Sequence, residues 1–443
     1  MISRLKTFAS ILILSGVALC FGCSEDPVDT PNPDSGPMTD GQVTVTDGPP
    51  PNAELTWSRE IMDYENAGKF TSVASSGDKI GVVYFSRLDD KVIKNCSLSG
   101  TEQLRLVQDL KYLEYSGGGW KPASTIVQTV EGTFGSSIVF DQSGTPHVGY
   151  LGGELSLREC ASSDAVIASS ADGLTWTENI ILAAGNTGDT VGHWMSVALN
   201  PADGSVDAAY RDVHFGYYEQ DGNARADLLM GGGEEVSPDI GDGVNTNLLF
   251  KADGTPVVVA YNPTKTGVAG GIKVYVKTAD EWVTRQIAPV GKNPSFATDG
   301  KGNFMVAYYH PTKKSLLVLE SADLELWTPA VTVDSALTYN GTFASVAYDS
   351  AGNPGVSYYR CSDAGAQDCE PNQDGLMFAW RHAGKWTSWE VDSGGTNTCG
   401  QYTGLAFNSN DEPFIGYQCV TFDNLTNEFV EVMKVAQGAW KTK

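Results

Sequence analysis

A short run near residue 210 carries side chains suited to binding a ligand with a carboxylate or a sugar ring. It reads Tyr210-Arg211-Asp212-Val213-His214. An arginine offers a two-pronged donor to a carboxylate, and a tyrosine offers a plane for stacking. The alternative, which polar loop residues more often fulfil, is a structural role, with an Arg–Asp pair fixing a loop and tyrosines packing between blades. The candidate ligand-binding residues, including those at equivalent positions further along the chain, are Arg211, Asp212, His214, Tyr309, His310, Tyr359 and Arg360.

No catalytic or metal-binding motif accompanies this set. The chain has no G-x-S-x-G, no HExxH and no phosphate-binding glycine loop leading into a helix. Residues 221–227 alternate oxygen-bearing side chains as a calcium loop does, but Arg225 interrupts them and the closing glutamate is missing. The sequence therefore assigns no catalytic residue, no metal and no cofactor.

Composition excludes one class of partner and favours one class of fold. The chain has 54 acidic and 29 basic residues and a net charge of −25. Nucleic-acid binding needs a basic patch, so we expect no nucleic-acid partner. The 49 glycines, the 10% of aromatic residues and only 19% of charged residues favour an extracellular all-β protein.

An internal repeat accounts for residues 54–443. Each copy has an apolar strand, a turn rich in Asp, Asn and Gly, and a second strand ending in tyrosine. The copies are roughly 55 residues long, which is typical of a β-propeller blade with four antiparallel strands. We therefore predict an all-β, seven-bladed β-propeller with four-stranded blades, with six or eight blades as the alternatives. The repeated tyrosines are Tyr84, Tyr150, Tyr210, Tyr261, Tyr308, Tyr358 and Tyr417.

Tryptophans mark the expected fourth strands. The third repeat has Glu234-Glu235-Val236 in that region, which predicts an irregular outer strand. Residues 57–63 look like a fourth strand without the preceding three, so we expect the N-terminal strand to complete the last blade and close the ring. The alternative is a strand lying loose on the edge. The tryptophans are Trp120, Trp176, Trp282, Trp327, Trp386 and Trp440.

The run Ser170-Ala171-Asp172-Gly173-Leu174-Thr175-Trp176 resembles the Asp-box of sialidase-like propellers. That family repeats S-x-D-x-G-x-x-W at the hairpin between the third and fourth strands. Asp323 lies in a similar segment. We expect Asp172 and Asp323 to be structural, accepting N–H groups of their own turns. A sialidase-type enzyme would also need an arginine triad and a tyrosine nucleophile with a glutamate partner. The family's arginine signature is absent from residues 69–73.

Six of the 8 cysteines lie in the repeat region, which in an exported chain suggests three disulfides. Cys96 and Cys160 fall in equivalent loops of the first two blades and are a candidate pair. Among the remaining four, the strand order brings Cys419 near Cys399, and a bond between Cys361 and Cys369 would close a local loop. Other pairings of these four stay open.

The first 53 residues predict export and anchoring. Residues 1–22 have a basic start and a short apolar run, as a signal peptide does. Gly22-Cys23 resembles a bacterial lipobox, which implies lipidation at Cys23. Residues 23–53, rich in proline and acids, are expected to be a disordered linker. The propeller is predicted to occupy residues 54–443.

These features predict a lipid-anchored propeller in the bacterial cell envelope, attached to the membrane through its N-terminal lipid only. Our leading hypothesis is a non-catalytic binding module for a glycan or protein partner. The alternative is a glycan-processing enzyme of sialidase-like type, a glycoside hydrolase. A structural surface protein without a small ligand is a third possibility.

Overall fold

A computed structural model describes most of the repeat region. The described residues are 54–93, 103–130, 135–152, 164–183, 190–218, 224–237, 243–263, 270–334, 339–361, 374–393, 398–423 and 427–441. Cys23, the predicted signal peptide and the linker lie outside them, so the domain boundaries and the lipidation stay predictions. Among the residues described, no helix has the length and hydropathy that crossing a bilayer demands.

The described chain folds into seven antiparallel sheets, one for each predicted blade. Blades 1 to 3 consist of β2 (Lys69–Ser76), β3 (Lys79–Ile93), β4 (Gln103–Ser116), β5 (Gly119–Trp120) and β6 (Ser124–Val130); β7 (Ser136–Phe140), β8 (Pro146–Gly152), β9 (Asp164–Ser169) and β10 (Thr177–Leu182); and β11 (Thr190–Leu199), β12 (Val206–Tyr218), β13 (Ala224–Met230) and β14 (Glu234–Ser237).

The remaining blades repeat the same order. Blades 4 to 7 consist of β15 (Val244–Phe250), β16 (Pro256–Asn262), β17 (Gly271–Lys277) and β18 (Trp282–Ala288); β19 (Lys292–Thr298), β20 (Phe304–His310), β21 (Ser315–Ser321) and β22 (Val331–Asp334); β23 (Tyr339–Tyr348), β24 (Pro354–Cys361), β25 (Gly375–His382) and β26 (Lys385–Asp392); and β27 (Cys399–Phe407), β28 (Pro413–Asp423), β29 (Glu428–Lys441) and β1 (Glu54–Asp63).

The first strand of each blade contacts the first strands of both neighbours, so the seven blades close into a ring. The seven-bladed, all-β prediction is confirmed. Two faces follow from the strand order. We call the face holding the connections between second and third strands and between blades the loop face. The face holding the other two connections of each blade is the turn face.

The ring is closed by the N-terminal strand, as predicted. β1 pairs with β29 as the outermost strand of blade 7, from Glu54 opposite Lys441 to Asp63 opposite Met433. The prediction that Trp440 marks a short fourth strand was wrong. Trp440 lies in β29, a long third strand, because the N-terminal segment already supplies the fourth. The outer strand β14 of blade 3 is short and irregular, as expected.

Six of the seven repeated tyrosines are buried in the core, and Tyr261 is half-buried. Tyr84, Tyr210 and Tyr417 are fully buried, and burial raises the pKa of each phenol. Most of the repeated tyrosines also donate a hydrogen bond that satisfies the buried hydroxyl. In blades 1, 6 and 7 the acceptor is an aspartate at the end of the preceding blade's last strand, in the pairs Tyr84–Asp63, Tyr358–Asp334 and Tyr417–Asp392.

Serine side chains connect the inner strands. Within the described ranges no β-ladder joins neighbouring blades, so the inner backbone N–H groups facing the next blade need another acceptor. A serine hydroxyl of one inner strand accepts the N–H of the next strand at 2.6 to 3.3 Å. We call this set the serine belt. Its bonds run from Ile138 to Ser72, from Val197 to Ser137, from Leu248 to Ser196, from Val346 to Ser295 and from Leu405 to Ser345.

Two positions of the belt differ. In blade 4 the amide of Asn247 donates to the carbonyl of Pro294 instead, at 3.0 Å. In blade 7 the position is Gly404, where a Cβ would lie 2.9 Å from the backbone nitrogen of Val73. Blades 7 and 1 therefore approach too closely there for any side chain.

One disulfide joins described residues. Cys399 and Cys419 stand opposite each other in β27 and β28 and are bonded, with Cα atoms 4.1 Å apart, which confirms that predicted pair. Cys361, at the end of β24, is also disulfide-bonded. Cys96, Cys160 and Cys369 lie outside the described residues, so the other two pairings stay predictions.

A buried ionic cluster fixes the closing strand. Asp63, at the end of β1, accepts hydrogen bonds from Tyr84 at 3.1 Å, Ser86 at 3.0 Å and Lys111 at 2.8 Å, all in blade 1. Burial acts to raise the pKa of Asp63. The Lys111 ammonium and the other donors outweigh burial, so the pKa lies below its ordinary value.

We expect Asp63→Asn to lower the free energy of unfolding by about 3 kcal/mol, because it leaves Lys111 without its buried counter-ion. The folded-state pKa is depressed, so the contribution is complete above about pH 4 and is lost as the pH falls through the folded-state value. Urea denaturation at pH 7 and at decreasing pH measures both effects. Glu60→Gln, an exposed change in the same strand, is the control. Equal stability of the two variants at pH 7 would contradict the assignment.

Candidate functional site

The inner strands enclose a cavity of about 370 Å³ on the ring axis, lined by residues of all seven. Each inner strand begins at the loop face, so the first lining residue of each blade lies at the end of the cavity nearest that face. We call these seven the mouth residues. They are Phe70, Gly135, Trp194, Asn245, Asn293, Phe343 and Tyr402.

Every mouth residue has a left-handed backbone, with φ between 50° and 86°. Six belong to one repeated β-bulge, in which three residues of the first strand oppose two of the second. Such a bulge normally places glycine in this conformation. Other L-residues lose about 1–2 kcal/mol there, and an aromatic residue with positive φ is a genuine outlier. Four such outliers at one opening point to a function for the side chains.

Four of the mouth residues form a continuous aromatic arc. The ring of Tyr402 lies 4.5 Å from Phe343 and 4.9 Å from Phe70, measured between centroids. Phe70 in turn lies 5.7 Å from Trp194. Blade 2 contributes only Gly135, and a Cβ there would lie 3.6 Å from the indole of Trp194. Gly135 therefore places no side chain between Trp194 and Phe70.

The opposite side of the mouth carries amides. Asn293 donates to the side-chain oxygen of Asn245 at 3.4 Å. Asn247, one step deeper, donates to the carbonyl of Asn245 at 2.8 Å. The mouth therefore has an apolar side for a ring face and a polar side for hydroxyl or amide groups.

The charged side chains described next to the cavity lie beside it and not in its lining. No acidic or basic side chain lines the cavity in the part of the chain described. Beside it, Lys69 and Glu431 form an ion pair at 2.9 Å. Burial, reinforced by the charge of Glu431, raises the pKa of Tyr402, so the phenol stays protonated at neutral pH. Burial, reinforced by the charge of Arg211, lowers the pKa of His193 to about 3, so this neighbour of Trp194 is neutral.

The predicted residues of blade 3 lie in strand β12 at the loop face. Arg211 packs against the next blade, since a Cβ placed on Gly243 of that blade would lie 3.2 Å from the Cβ of Arg211. Asp212 is buried. His214 also belongs to β12, opposite Arg225, but its side chain lies outside the described part.

The predicted residues of blades 5 and 6 occupy the equivalent strand ends. Tyr309 is buried, and His310 Nδ1 accepts the backbone N–H of Lys313 at 3.1 Å. Tyr359 is buried and donates to Asp374 at 2.6 Å, and Arg360 pairs with Glu390. All these residues share the loop face, but none of their described side chains lines the cavity. Their assignment to ligand binding stays a prediction.

The mouth residues escaped the sequence reasoning although a signal exists. They occupy the third position of a recurring G-x-aromatic/Asn-x-Ser pattern, clearest in the segments 68–72, 192–196 and 341–345. The same pattern supplies the serines of the belt. A search for repeated glycines two residues before an aromatic residue would have found it.

The aspartates of the Asp-box-like segments and one carboxylate–cysteine cluster have structural explanations. Asp172 accepts the N–H groups of Leu174 and Thr175, and Asp323 bonds its own turn in the same way, as predicted for a structural role. Asp392 lies near Cys399 and Cys419, but both sulfurs are held in the disulfide. That cluster therefore offers no thiolate to a metal.

Comparison with known proteins gives structural neighbours only. No protein-family model matches the chain, and no curated protein does. A sialidase NanB from Streptococcus pneumoniae aligns with 12% identity and a TM-score of 0.42, over 85% of this chain and 69% of that one. The Hadza microbial sialidase Hz136 aligns with 13% identity and a TM-score of 0.43, over 76% and 75%. A polysaccharide lyase, a PL25 ulvan lyase, aligns with 12% identity and a TM-score of 0.43, over 78% and 80%.

The fold and the site together define a seven-bladed β-propeller with an aromatic and amide-lined channel mouth. The structures with which it aligns include sialidases and a polysaccharide lyase. The chemistry of the site has to be argued from this chain's own side chains.

We expect Trp194→Asn to lower the free energy of unfolding by less than about 1 kcal/mol. Asparagine tolerates the left-handed backbone better, and this relief offsets lost packing. Phe85→Ala, in the core of the same region, should lower it by about 3–5 kcal/mol. Urea denaturation followed by circular dichroism compares the two. Equal losses would show that Trp194 is an ordinary core residue.

Proposed function

We propose that the protein binds an uncharged glycan at the channel mouth. The carrying observation is the aromatic arc of Phe343, Tyr402, Phe70 and Trp194, kept in a strained backbone conformation opposite two asparagines. A sugar ring has an apolar C–H face, which packs on aromatic planes, and a hydroxyl edge, which amides recognise. The absence of charge from the described lining favours a neutral sugar over a carboxylate-bearing one.

The size and rigidity of the site support this proposal. A cavity of about 370 Å³ lies at the lower end of the range for small-molecule sites. Every mouth residue belongs to an inner strand fixed by the belt or its substitutes, so the rings are held in place before the ligand arrives. Preorganised aromatic rings lose little entropy on binding.

A glycan array on the full chain, followed by calorimetric titration of each hit, tests the proposal. We expect Trp194→Asn to weaken binding of a neutral glycan by at least ~10-fold, because it removes one stacking plane. Leu326→Ala is the matched control, since Leu326 is 78% exposed on the turn face and should leave binding unchanged.

Two results would contradict the mouth as a glycan site. One is an array without any binder, which would direct attention to a protein partner. The other is a hit whose affinity is the same in wild type and Trp194→Asn. Preference for acidic over neutral glycans would overturn the choice of ligand class.

The second candidate is processing of the bound glycan. The observation that favours it is the Lys69–Glu431 pair beside Tyr402. A tyrosine with a neighbouring carboxylate is one arrangement found in glycoside hydrolysis. Because the Tyr402 phenol stays protonated, Glu431 would have to accept its proton. None of the described residues that line the cavity is an arginine, so no arginine triad of the sialidase type is described at the mouth.

If the protein hydrolyses a glycan, Glu431→Gln should reduce turnover by ~100-fold or more while glycan affinity changes little. Chromatography of products from each glycan that binds provides the measurement. Glu412→Gln, a change at the turn face, is the control. No product from the wild-type protein would leave a binding module, and full activity of Glu431→Gln would exclude Glu431 as the proton acceptor.

We propose that the propeller acts in the bacterial cell envelope, held by a lipid on Cys23. The lipobox-like Gly22-Cys23 and the acidic, proline-rich residues 24–53 support this location. Such a linker holds a domain away from the membrane surface.

A further inference from the structure

One hairpin rises above the loop face beside the mouth and carries exposed aromatic side chains. β28 and β29 of blade 7 have 11 and 14 residues, whereas the equivalent strands of blade 4 have 7 each. Gln418 corresponds to Asn262, the last residue of β16 in blade 4. β28 continues five residues further, to Asp423. At the rise of an extended strand, this lifts the hairpin by roughly 15 Å.

The raised part of the hairpin ends in a phenylalanine pair. Phe422 and Phe429 stand directly opposite each other, and their rings meet edge to face at 5.2 Å between centroids. Phe429 is 67% exposed and Phe422 is 39% exposed. Two adjacent, exposed rings form an apolar surface of the kind that marks a contact site.

The pair lies on the flank of the hairpin that faces blade 1. Gln418 and Met433 contact Gly68 of blade 1, and Glu431 bonds Lys69. Side chains two residues apart on a strand share a face. Phe422 therefore points the same way as Gln418, and Phe429 the same way as Glu431 and Met433.

The strand register along this flank relates the phenylalanine pair to the mouth. Gln418 stands opposite Gln401, the residue before Tyr402. Glu431 acts electrostatically on Tyr402. Phe429 follows two residues further out, about 7 Å beyond Glu431. The flank thus leads from Tyr402 past the Lys69–Glu431 pair to the two phenylalanines, over a length greater than one sugar ring.

We infer that Phe422 and Phe429 form an outer subsite for a glycan chain whose end occupies the mouth. The inference rests on the proposed function and adds that the ligand is an oligosaccharide or polysaccharide rather than a single sugar. One unit stacks on the aromatic arc, the chain passes the Lys69–Glu431 pair, and a more distant unit packs on the phenylalanine pair. Polar hydroxyls of the intervening units meet the ion pair.

The test compares chain lengths on the full chain. The probes are the disaccharide and hexasaccharide of the cello-, xylo- and chito-oligosaccharide series, titrated by calorimetry. We expect the wild-type protein to bind a hexasaccharide ~10-fold more tightly than its disaccharide. The Phe422→Ala/Phe429→Ala double variant should lose this difference and keep its disaccharide affinity. The Phe422→Tyr/Phe429→Tyr variant retains both rings and should restore it.

Other outcomes separate the two proposals. Equal hexasaccharide affinity in the wild type and the alanine double variant would overturn the outer subsite and leave the mouth intact. If none of the probes binds the wild type, the proposed function fails for these glycans and the subsite fails with it. Loss of disaccharide affinity in the alanine variant would overturn the separation of the two positions. Leu326→Ala should behave as wild type throughout.

Sedimentation velocity addresses the competing occupant. Since an exposed aromatic pair also suits contact with a second copy of the chain, each variant is run beside the wild type. A wild-type dimer that the alanine double variant converts to a monomer would overturn the inference. A monomer in both is the expected result.

Discussion

The packing of the inner strands around one axis is the constraint on which the structure depends. Seven sheets meet there without a shared β-ladder, so backbone N–H groups at the junctions would be buried without acceptors. Serine hydroxyls supply those acceptors at five junctions, Asn247 bonds across a sixth, and Gly404 allows direct contact at the seventh. An unsatisfied buried N–H costs about 1–3 kcal/mol, so the serine belt stabilises five of the seven junctions.

The same short segment that makes the belt also makes the mouth. A glycine precedes a left-handed residue, and the serine follows two positions later, so one bulge sets both backbone satisfaction and side-chain display. At Asn245 and Asn293 the left-handed position holds a residue that tolerates it well. At Phe70, Trp194, Phe343 and Tyr402 it holds aromatic rings, which sit there only because the surrounding ring fixes the backbone.

Aspartates at the ends of outer strands also hold the ring closed. Asp63 in blade 7 binds Tyr84 and Lys111 of blade 1, and Asp392 in blade 6 binds Tyr417 and Lys434 of blade 7. The tyrosine repeat noticed in the sequence is therefore a set of interblade contacts. Two of its members anchor ion pairs on either side of blade 7, the one blade assembled from both ends of the propeller. The disulfide between Cys399 and Cys419 braces the same blade next to Tyr402.

The sequence by itself predicted the number of blades and the ring closure by residues 57–63, and it favoured the Cys399–Cys419 pair while other pairings stayed open, because these features follow from repeat length, phase and strand order. It did not determine the candidate site. Arg211, Tyr309 and Tyr359 have suitable chemistry, but none of them lines the axial cavity. Whether a side chain faces the axis or a neighbouring blade depends on one extra residue in a bulge, which shifts every subsequent side chain. Only the assembled ring decided that Phe70, Trp194, Phe343 and Tyr402, scattered over the chain, meet at one opening.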